Sequence, residues 1–136
     1  MKLAADANVL LSAVIGGRAR LVLQHPNVHE ILTTERTFAE VEEYVPVLAS
    51  RKGLPVDVLI LAVAALPVTI VERTGYSRKL PKALRQIGDR DPDDAELLAL
   101  ALQFRLPIWS NDRDFSNARV ELFTTEDLLR HLQIIE

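Results

Sequence analysis

The stretch DRDPDDAELLALALQFRLPIWSNDRDF, residues 89–115, carries most of the information about the fold. Asp91 suits the N-cap of a helix and Pro92 suits its first position, so the pattern predicts a helix over Pro92–Phe104. The short apolar run Pro107–Ser110 predicts a strand soon after it. A helix followed closely by a strand is typical of α/β domains with a mainly parallel sheet.

The same alternation of short apolar runs and helical patterns extends along the whole chain. Further strands are predicted at Lys2–Ala5, His29–Thr33, Val68–Val71 and Val120–Phe123. Further helices are predicted from Val9, over Ala19–Leu23, over Glu35–Ser50, from Pro55 to Leu66, over Pro81–Gln86, and after a cap at Thr124 or Thr125. The sequence therefore predicts a single α/β domain, residues 1–136, built as a three-layer sandwich of four to five strands flanked by helices.

Three local features lead to specific expectations. Asn8 can cap a helix that begins at Val9. Pro46 falls inside a helical pattern and should kink or break that helix. The segment Leu54–Leu66 is apolar on nearly all sides, so its helix should be either deeply buried or part of an interface.

Composition excludes several kinds of site. The 136 residues contain no cysteine, which rules out disulfides, cysteine-bound zinc and thiol nucleophiles. The three histidines lack the spacing of a metal-binding pair, so any metal should be a hard ion held by oxygen, such as Mg²⁺ or Mn²⁺. The net charge of −3 does not fit a nucleic-acid polycation. The chain shows no signal-peptide pattern and no apolar run long enough to span a bilayer, so we expect a cytoplasmic protein.

Four acidic motifs point to chemistry: Asp6 in KLAADANVL, Glu40 in TFAEVEE, Asp94 in RDPDDAELLALAL and Asp112 in PIWSNDRDF. Asp6 ends the first predicted strand and Asp112 follows the fourth, and ligands bind at the carboxyl ends of parallel strands. Two carboxylates about 5 Å apart repel by roughly 3 kcal/mol at an effective dielectric near 20. Such a group needs a cation, so the pattern predicts a Mg²⁺ or Mn²⁺ site.

Each acid also has a simpler structural explanation. Asp6, Asp112 and Asp114 could be turn or cap residues, and Glu40 lies on a glutamate-rich, solvated helix. Acids at the start of a helix favour its dipole, which alone could account for Asp91, Asp93 and Asp94. Asp94 differs because it shares a face with the apolar residues three, four and seven positions further on, and that face should point inward.

These motifs resemble those of the PIN-domain family over nearly the full length of the chain. DANVLLSAV resembles the family's opening strand and helix, and TFAEVEEYV resembles the segment that holds its glutamate. The pairing of DRDPDDAELLALAL with PIWSNDRDF is the most specific part of the resemblance. It implies a Mg²⁺- or Mn²⁺-dependent nuclease, usually acting on RNA, that leaves 5′-phosphate and 3′-hydroxyl ends.

Carried over residue by residue, the resemblance implies a site with a defined set of members. The catalytic, metal-binding acids would be Asp6, Glu40, Asp94 and Asp112, and the supporting groups would be Asn8, Ser110 and Asp114. Glu42 or Glu43 would replace Glu40 after a small shift of register. Many compact PIN proteins are VapC-type toxins of toxin–antitoxin pairs and form homodimers, so an antitoxin, a second copy and single-stranded RNA or tRNA are the expected partners.

The segment 73–90 adds an independent indication of RNA binding. It holds six basic residues and one acidic residue, a net charge of +5, and could contact the RNA backbone through Arg78, Lys79, Lys82 and Arg85. Tyr76 could stack on a base, although a single tyrosine more often packs in a core. A solvated connection is the alternative for the whole segment.

Two other functions are compatible with some of these features. A PIN-like module could bind RNA or a protein partner without cutting. Phosphotransfer enzymes of the haloacid-dehalogenase or receiver kind also place an aspartate after the first strand. The first of these needs D-x-D where this chain has Asp6-Ala7-Asn8, and the second needs paired acids there, so both fit poorly.

Overall fold

The computed structural model describes residues 1–87, 91–112, 115–116 and 118–136. At its centre lies a five-stranded sheet in the order β3-β2-β1-β4-β5, in which every pairing is parallel. The strands are β1 Lys2–Ala5, β2 Glu30–Thr34, β3 Thr69–Val71, β4 Ile108–Trp109 and β5 Leu122–Phe123. The predicted parallel sheet is therefore confirmed, with each strand within two residues of its expected bounds.

Seven α-helices of the described chain flank this sheet. They are α1 Ala7–Val14, α2 Ala19–Leu23, α3 Glu35–Lys52, α4 Val56–Ala64, α5 Leu80–Ile87, α6 Pro92–Phe104 and α7 Thr125–His131. Two short 3-10 turns, Arg73–Gly75 and Ser77–Lys79, lead into α5. Asp91 caps α6 and Pro92 opens it, as the sequence predicts.

The sheet separates two apolar cores, one on each face. Leu3 and Ala5 of β1 belong to the core that packs against α1, α3, α4 and α7, whereas Ala4 between them belongs to the core under α5 and α6. This alternation follows from the period-2 geometry of a strand. Residues 95–101 of α6 are all buried, so this helix is the centre of the second core. The three-layer arrangement is confirmed.

The order of the strands decides which loops meet. Since β1 lies between β2 and β4, Ala5 pairs with Trp109 at the carboxyl ends of their strands. The residues that follow, Asp6 and Ser110, are therefore neighbours although 104 positions separate them in the chain.

The expected cap at Asn8 is wrong. The first helix begins at Ala7, and its N-cap is Asp6, whose extended backbone leaves the carboxylate free to accept a hydrogen bond from the Ala7 N–H at 2.8 Å. Aspartate and asparagine are comparable caps. Asp6 takes the position because the strand ends one residue before it, which leaves no room for an intervening turn.

The expected break at Pro46 is also wrong, since α3 runs on to Lys52. Proline removes one backbone hydrogen bond, the one to the carbonyl four residues earlier. Both Pro46 and Glu42 are exposed, so water can satisfy that carbonyl.

The helix α4 is only half buried. Leu59 and Val63 face the core, whereas Val58, Ile60 and Leu61 are 57%, 55% and 70% exposed. The expectation that the whole helix is deeply buried is therefore wrong. Within the described residues, no helix has both the length and the apolar character needed to cross a membrane.

The difference between buried and exposed leucines leads to a prediction about stability. Leu98→Ala, at a fully buried position of α6, should lower the free energy of unfolding by about 2–5 kcal/mol, because it removes packed methyl groups and leaves a cavity. Leu61→Ala, at an exposed position of α4, should change it by less than about 0.5 kcal/mol. Urea unfolding followed by circular dichroism measures both; equal losses would contradict the assignment of the two faces.

Candidate active site

The centre of the candidate site is a link between the ends of β1 and β4. The Ser110 hydroxyl, fully buried, donates a hydrogen bond of 2.7 Å to Oδ2 of Asp6. The same Ser110 oxygen accepts a hydrogen bond of 3.0 Å from the backbone N–H of Asp112. One hydroxyl thus holds Asp6 and Asp112 at the same edge of the sheet.

Asn8 completes this polar connection. Its side-chain amide donates to Ser110 Oγ at 3.4 Å, and its Oδ1 accepts from the Asn111 N–H at 3.3 Å. Asn111 in turn accepts from the Thr125 N–H at 2.8 Å, which ties the β4 end to the start of α7. Asn8 and Ser110, both predicted as supporting groups, therefore lie beside Asp6.

A cavity of about 540 Å³ opens at this edge of the sheet. All four predicted acids line it, together with two further acids, and the six are Asp6, Glu40, Glu43, Asp91, Asp94 and Asp112. Helix α3 separates the three glutamates left open by the sequence: Glu40 and Glu43 both line this cavity, whereas Glu42 lines an apolar groove against α4. Asp114, also predicted as a supporting group, lies outside the described residues.

Burial dominates the electrostatics of Asp6. It raises the pKa of this carboxyl, and the hydrogen bonds from Ser110 and Ala7 oppose it. Asp112 and Asp91 raise the same pKa further through their negative charges. These effects are those expected where acids are gathered in one cavity.

Glu40 makes its strongest contacts away from Asp6. Its side chain hydrogen-bonds with that of Asp93, and Asp93 also accepts a hydrogen bond from the Arg36 guanidinium. Burial, the bond with Asp93 and nearby acids raise the pKa of Glu40 from 4.5 to about 8. The pKa of Asp93 is lowered, first by the hydrogen bond with Glu40 and then by Arg36, so Glu40 keeps the shared proton and Asp93 is the charged partner.

A second cavity of about 460 Å³ adjoins the first and shares Glu40 and Glu43 with it. Its wall contains Glu96, which is 4% exposed and paired with Arg73 at 3.2 Å. Tyr76, 1% exposed, lies against Glu96, and its burial raises its pKa to about 12. Tyr76 is therefore a core residue and cannot stack on a base in this conformation.

The four residues predicted to bind RNA lie outside both cavities. Arg78, Lys82 and Arg85 are exposed and Lys79 is half-buried, all on the 3-10 turn and helix α5 that pack against α6. None of the four lines either cavity. These four residues therefore offer a separate basic surface, whereas Arg73 of the same segment pairs with Glu96 in the second cavity.

The donor set fits a hard divalent cation in chemical type. The acids supply carboxylate oxygens, Ser110 and Asn8 supply a hydroxyl and an amide, and neither histidine nor cysteine is among them. Over the described ranges, however, no three acidic or histidine side chains are close enough to hold one ion as they stand. Glu40 is turned to Asp93, and Oδ2 of Asp6 is turned to Ser110.

Comparison with known proteins identifies the family. The family model described as "PIN domain" matches residues 5–133 of the 136. The chain belongs to the PIN-domain family. No curated protein matches it in sequence.

Solved structures share the fold of this PIN domain at low sequence identity. PAE2754 from Pyrobaculum aerophilum is 14% identical with a TM-score of 0.74, over 99% of this chain and 91% of that one. VapBC2 from Rickettsia felis, bound to promoter DNA, is 16% identical with a TM-score of 0.64, over 91% and 98%. VapC20 of Mycobacterium tuberculosis, a sarcin-ricin loop cleaving toxin, is 19% identical with a TM-score of 0.60, over 87% and 95%.

Sequence reasoning missed two residues that lie beside Glu40 in the second cavity, Asp93 and Arg36. It explained Asp93 only as a helix-start residue, and it gave Arg36 no role. The spacing of Arg36 and Glu40, four residues apart on one helix, places them on one face and was the available signal. That both meet Asp93 could not be inferred from the sequence, since Asp93 lies on another helix.

The raised pKa of Glu40 leads to a prediction for the metal-free PIN domain. Between pH 4.5 and about 8 the folded state binds more protons at Glu40 than the unfolded state does. Linkage then requires the free energy of unfolding to fall as pH rises through this range. Arg36, Asp93, Asp91 and Asp6 are the charged groups that act on Glu40.

Chemical unfolding in EDTA at pH 5, 6, 7 and 8 measures this slope. Glu40→Gln removes the titrating group and should flatten the curve, while Glu42→Gln, on another face of the same helix, should keep the wild-type slope. A wild-type slope in Glu40→Gln would contradict the assigned proton.

Proposed function

We propose that this PIN domain is a metal-dependent endoribonuclease that hydrolyses RNA phosphodiester bonds. The observation that carries the proposal is the cavity at the carboxyl edge of the parallel sheet, lined by Asp6, Glu40, Asp94 and Asp112. Members of the family are typically nucleases, and the edge is the one where α/β sheets bind ligands.

The same four acids would hold Mg²⁺ or Mn²⁺. A bound ion of this kind activates water and stabilises the negative charge that develops on a phosphoryl group. The chain's own contribution is to keep the acids together: Ser110 holds Asp6 and Asp112, and Asn8 supports Ser110. Asp114 is proposed as a further supporting group from the sequence alone.

An acidic cavity repels RNA unless basic groups nearby compensate. Arg78, Lys79, Lys82 and Arg85, on the elements that pack against α6, are proposed to contact the RNA backbone. Because they lie outside the cavities, they would bind the strand without taking part in its cleavage.

The resemblance to VapC-type toxins extends the proposal to partners. We propose that the chain is the toxin of a toxin–antitoxin pair, forms a homodimer and acts on single-stranded RNA or tRNA in the cytoplasm. Solved VapBC complexes from Rickettsia felis and Haemophilus influenzae share its fold. The exposed Val58, Ile60 and Leu61 of α4 are the kind of apolar surface that a protein partner covers.

One observation favours a second function, a PIN-like module that binds RNA or a partner without cutting. As they stand, the acids of the described chain do not converge on one point. Metal-dependent thermal stabilisation without cleavage of any RNA in a broad panel would support this alternative.

Cleavage of RNA tests the leading proposal. With Mn²⁺, the wild-type protein should cut single-stranded RNA or tRNA, and Asp6→Asn and Asp94→Asn should each lower the rate by at least about a hundredfold, because each removes a carboxylate from the cavity. Products are resolved by gel electrophoresis. Full activity in EDTA, or in both variants, would refute the assigned chemistry.

Salt dependence tests the basic surface. Lys82→Ala and Arg85→Ala should weaken binding of a single-stranded RNA and reduce the slope of log K against log salt by about 0.7 for each phosphate that is no longer neutralised. Lys52→Ala, at the far end of α3, is a control that removes the same kind of charge. Identical slopes in all of these proteins would show that the segment does not contact RNA.

A further inference from the structure

The lining of the first cavity is not acidic throughout. Among the described residues that line it, Tyr44 of α3 is the only aromatic one, and it is 37% exposed. Leu11 of α1, a helix that packs against α3, is the other large apolar side chain of the lining. The cavity at the acidic edge of the sheet therefore also has an apolar part that solvent reaches.

The position of Tyr44 on α3 relates it to the proposed metal-binding acids. Tyr44 and Glu40 are four residues apart, so they share one face of the helix, about 6 Å apart along its axis. Both line the same cavity. An RNA strand with one phosphate at the acids would therefore bring an adjoining nucleotide to Tyr44.

Arg51 restrains the ring of Tyr44. It lies seven residues further along α3, and its Nη1 donates a hydrogen bond of 2.7 Å to the Tyr44 hydroxyl. The guanidinium carbon lies 5.8 Å from the centre of the ring, which is within the range of a cation–π interaction. A side chain that is already restrained loses less conformational freedom when a ligand packs on it.

The charge of the cavity decides which part of a nucleic acid can contact Tyr44. The six acids of the lining repel phosphate groups unless a cation offsets their charge. A nucleobase has no net charge, so it can approach the same wall without this repulsion. Stacking on an aromatic ring attracts every kind of base, and a base is free to do so where the strand is unpaired.

We infer that Tyr44 is the surface on which an unpaired base next to the cleaved phosphodiester stacks, and that Arg51 orients its ring. The inference rests on the proposed function and names a contact with the substrate that the acids cannot make. The chain has two tyrosines, and Tyr76 is buried at 1% exposure, so Tyr44 is the one that a base can reach.

The kinetics of RNA cleavage with Mn²⁺ distinguish stacking from simple packing. Tyr44→Leu keeps an apolar side chain but removes the ring, and it should raise KM by at least about fivefold with kcat little changed. Tyr44→Phe keeps the ring and loses only the hydroxyl, so its KM should stay within about threefold of wild type. A wild-type KM in Tyr44→Leu, or equal losses in the two variants, would overturn the inference. If Tyr44→Leu does not fold, Tyr44→Met makes the same comparison.

An RNA that lacks a single base tests the contact itself. Oligonucleotides carry an abasic residue at each position in turn around the cleaved bond, and one of them should raise the KM of the wild-type protein by about fivefold or more. With that oligonucleotide Tyr44→Leu should lose nothing further, because the ring and the base act as one pair. Losses that multiply would show that Tyr44 does not contact this base and would contradict the inference.

Two more variants separate the roles of the neighbouring residues. Arg51→Ala frees the ring but keeps it, so it should raise KM by less than Tyr44→Leu does; a larger rise would contradict the orienting role. Phe104→Ala is the matched control, because Phe104 is 44% exposed at the far end of α6 and lines neither cavity. Its KM should stay within about twofold of wild type.

The same measurements distinguish failure of this inference from failure of the proposed function. If the wild-type protein and Tyr44→Leu cleave RNA with the same KM, the nuclease stands and the stacking contact does not. If the wild-type protein cleaves no RNA, the proposed function is wrong and this inference fails with it. Isothermal titration should give Tyr44→Leu the wild-type Mn²⁺ dissociation constant; a weaker constant would assign its change in KM to the metal site instead.

Discussion

The parallel pairing of β1 with β4 is the constraint on which the candidate site depends. It brings Asp6 and Ser110 together across 104 positions of sequence, and one buried hydroxyl then links Asp6 to the backbone of Asp112. Interactions between residues close in sequence cannot produce this arrangement, because β1 and β4 are far apart in the chain and meet only by pairing in the sheet. Buried residues of α6 pack in one core with Ala4 of β1 and Ile108 of β4. The apolar core and the acidic edge are consequences of the same strand order.

Different interactions stabilise the individual acids of the cavity. Asp6 accepts hydrogen bonds from Ala7 and Ser110, and these offset part of the cost of its burial. Glu40 keeps a proton, and the charge of the pair it forms with Asp93 is balanced by Arg36. A bound cation would replace the proton on Glu40 and would reduce the repulsion between the carboxylates in its place. The neutral Glu40 and the proposed metal-bound Glu40 are therefore two solutions to the same electrostatic problem.

The sequence predicts the elements that depend on local chemistry. Asp91 and Pro92 mark the start of α6 because a cap and a first-turn proline act within a few residues. The acids at strand ends could be expected at one edge, because parallel strands point the same way. Two predictions from local chemistry were wrong. Asp6 and Asn8 can both cap the first helix, and the sequence did not show which one does. At Pro46 the cost of the lost hydrogen bond depends on whether water reaches the free carbonyl.

The residues that sequence reasoning missed have a different property. Asp93 has a sufficient local explanation as an acid in the first turn of a helix, and its partners lie more than fifty positions away, so only the packing of α3 against α6 brings them to it.

The two halves of the site therefore differ in how firmly the fold determines them. Asp6 and Asp112 follow β1 and β4, and the pairing of these strands together with Ser110 keeps the two acids at one edge. The helix-borne acids depend on side-chain contacts between α3 and α6. At that junction Glu40 lies against Asp93, which is also paired with Arg36. The strand order therefore determines one side of the cavity, and the packing of α3 against α6 determines the other.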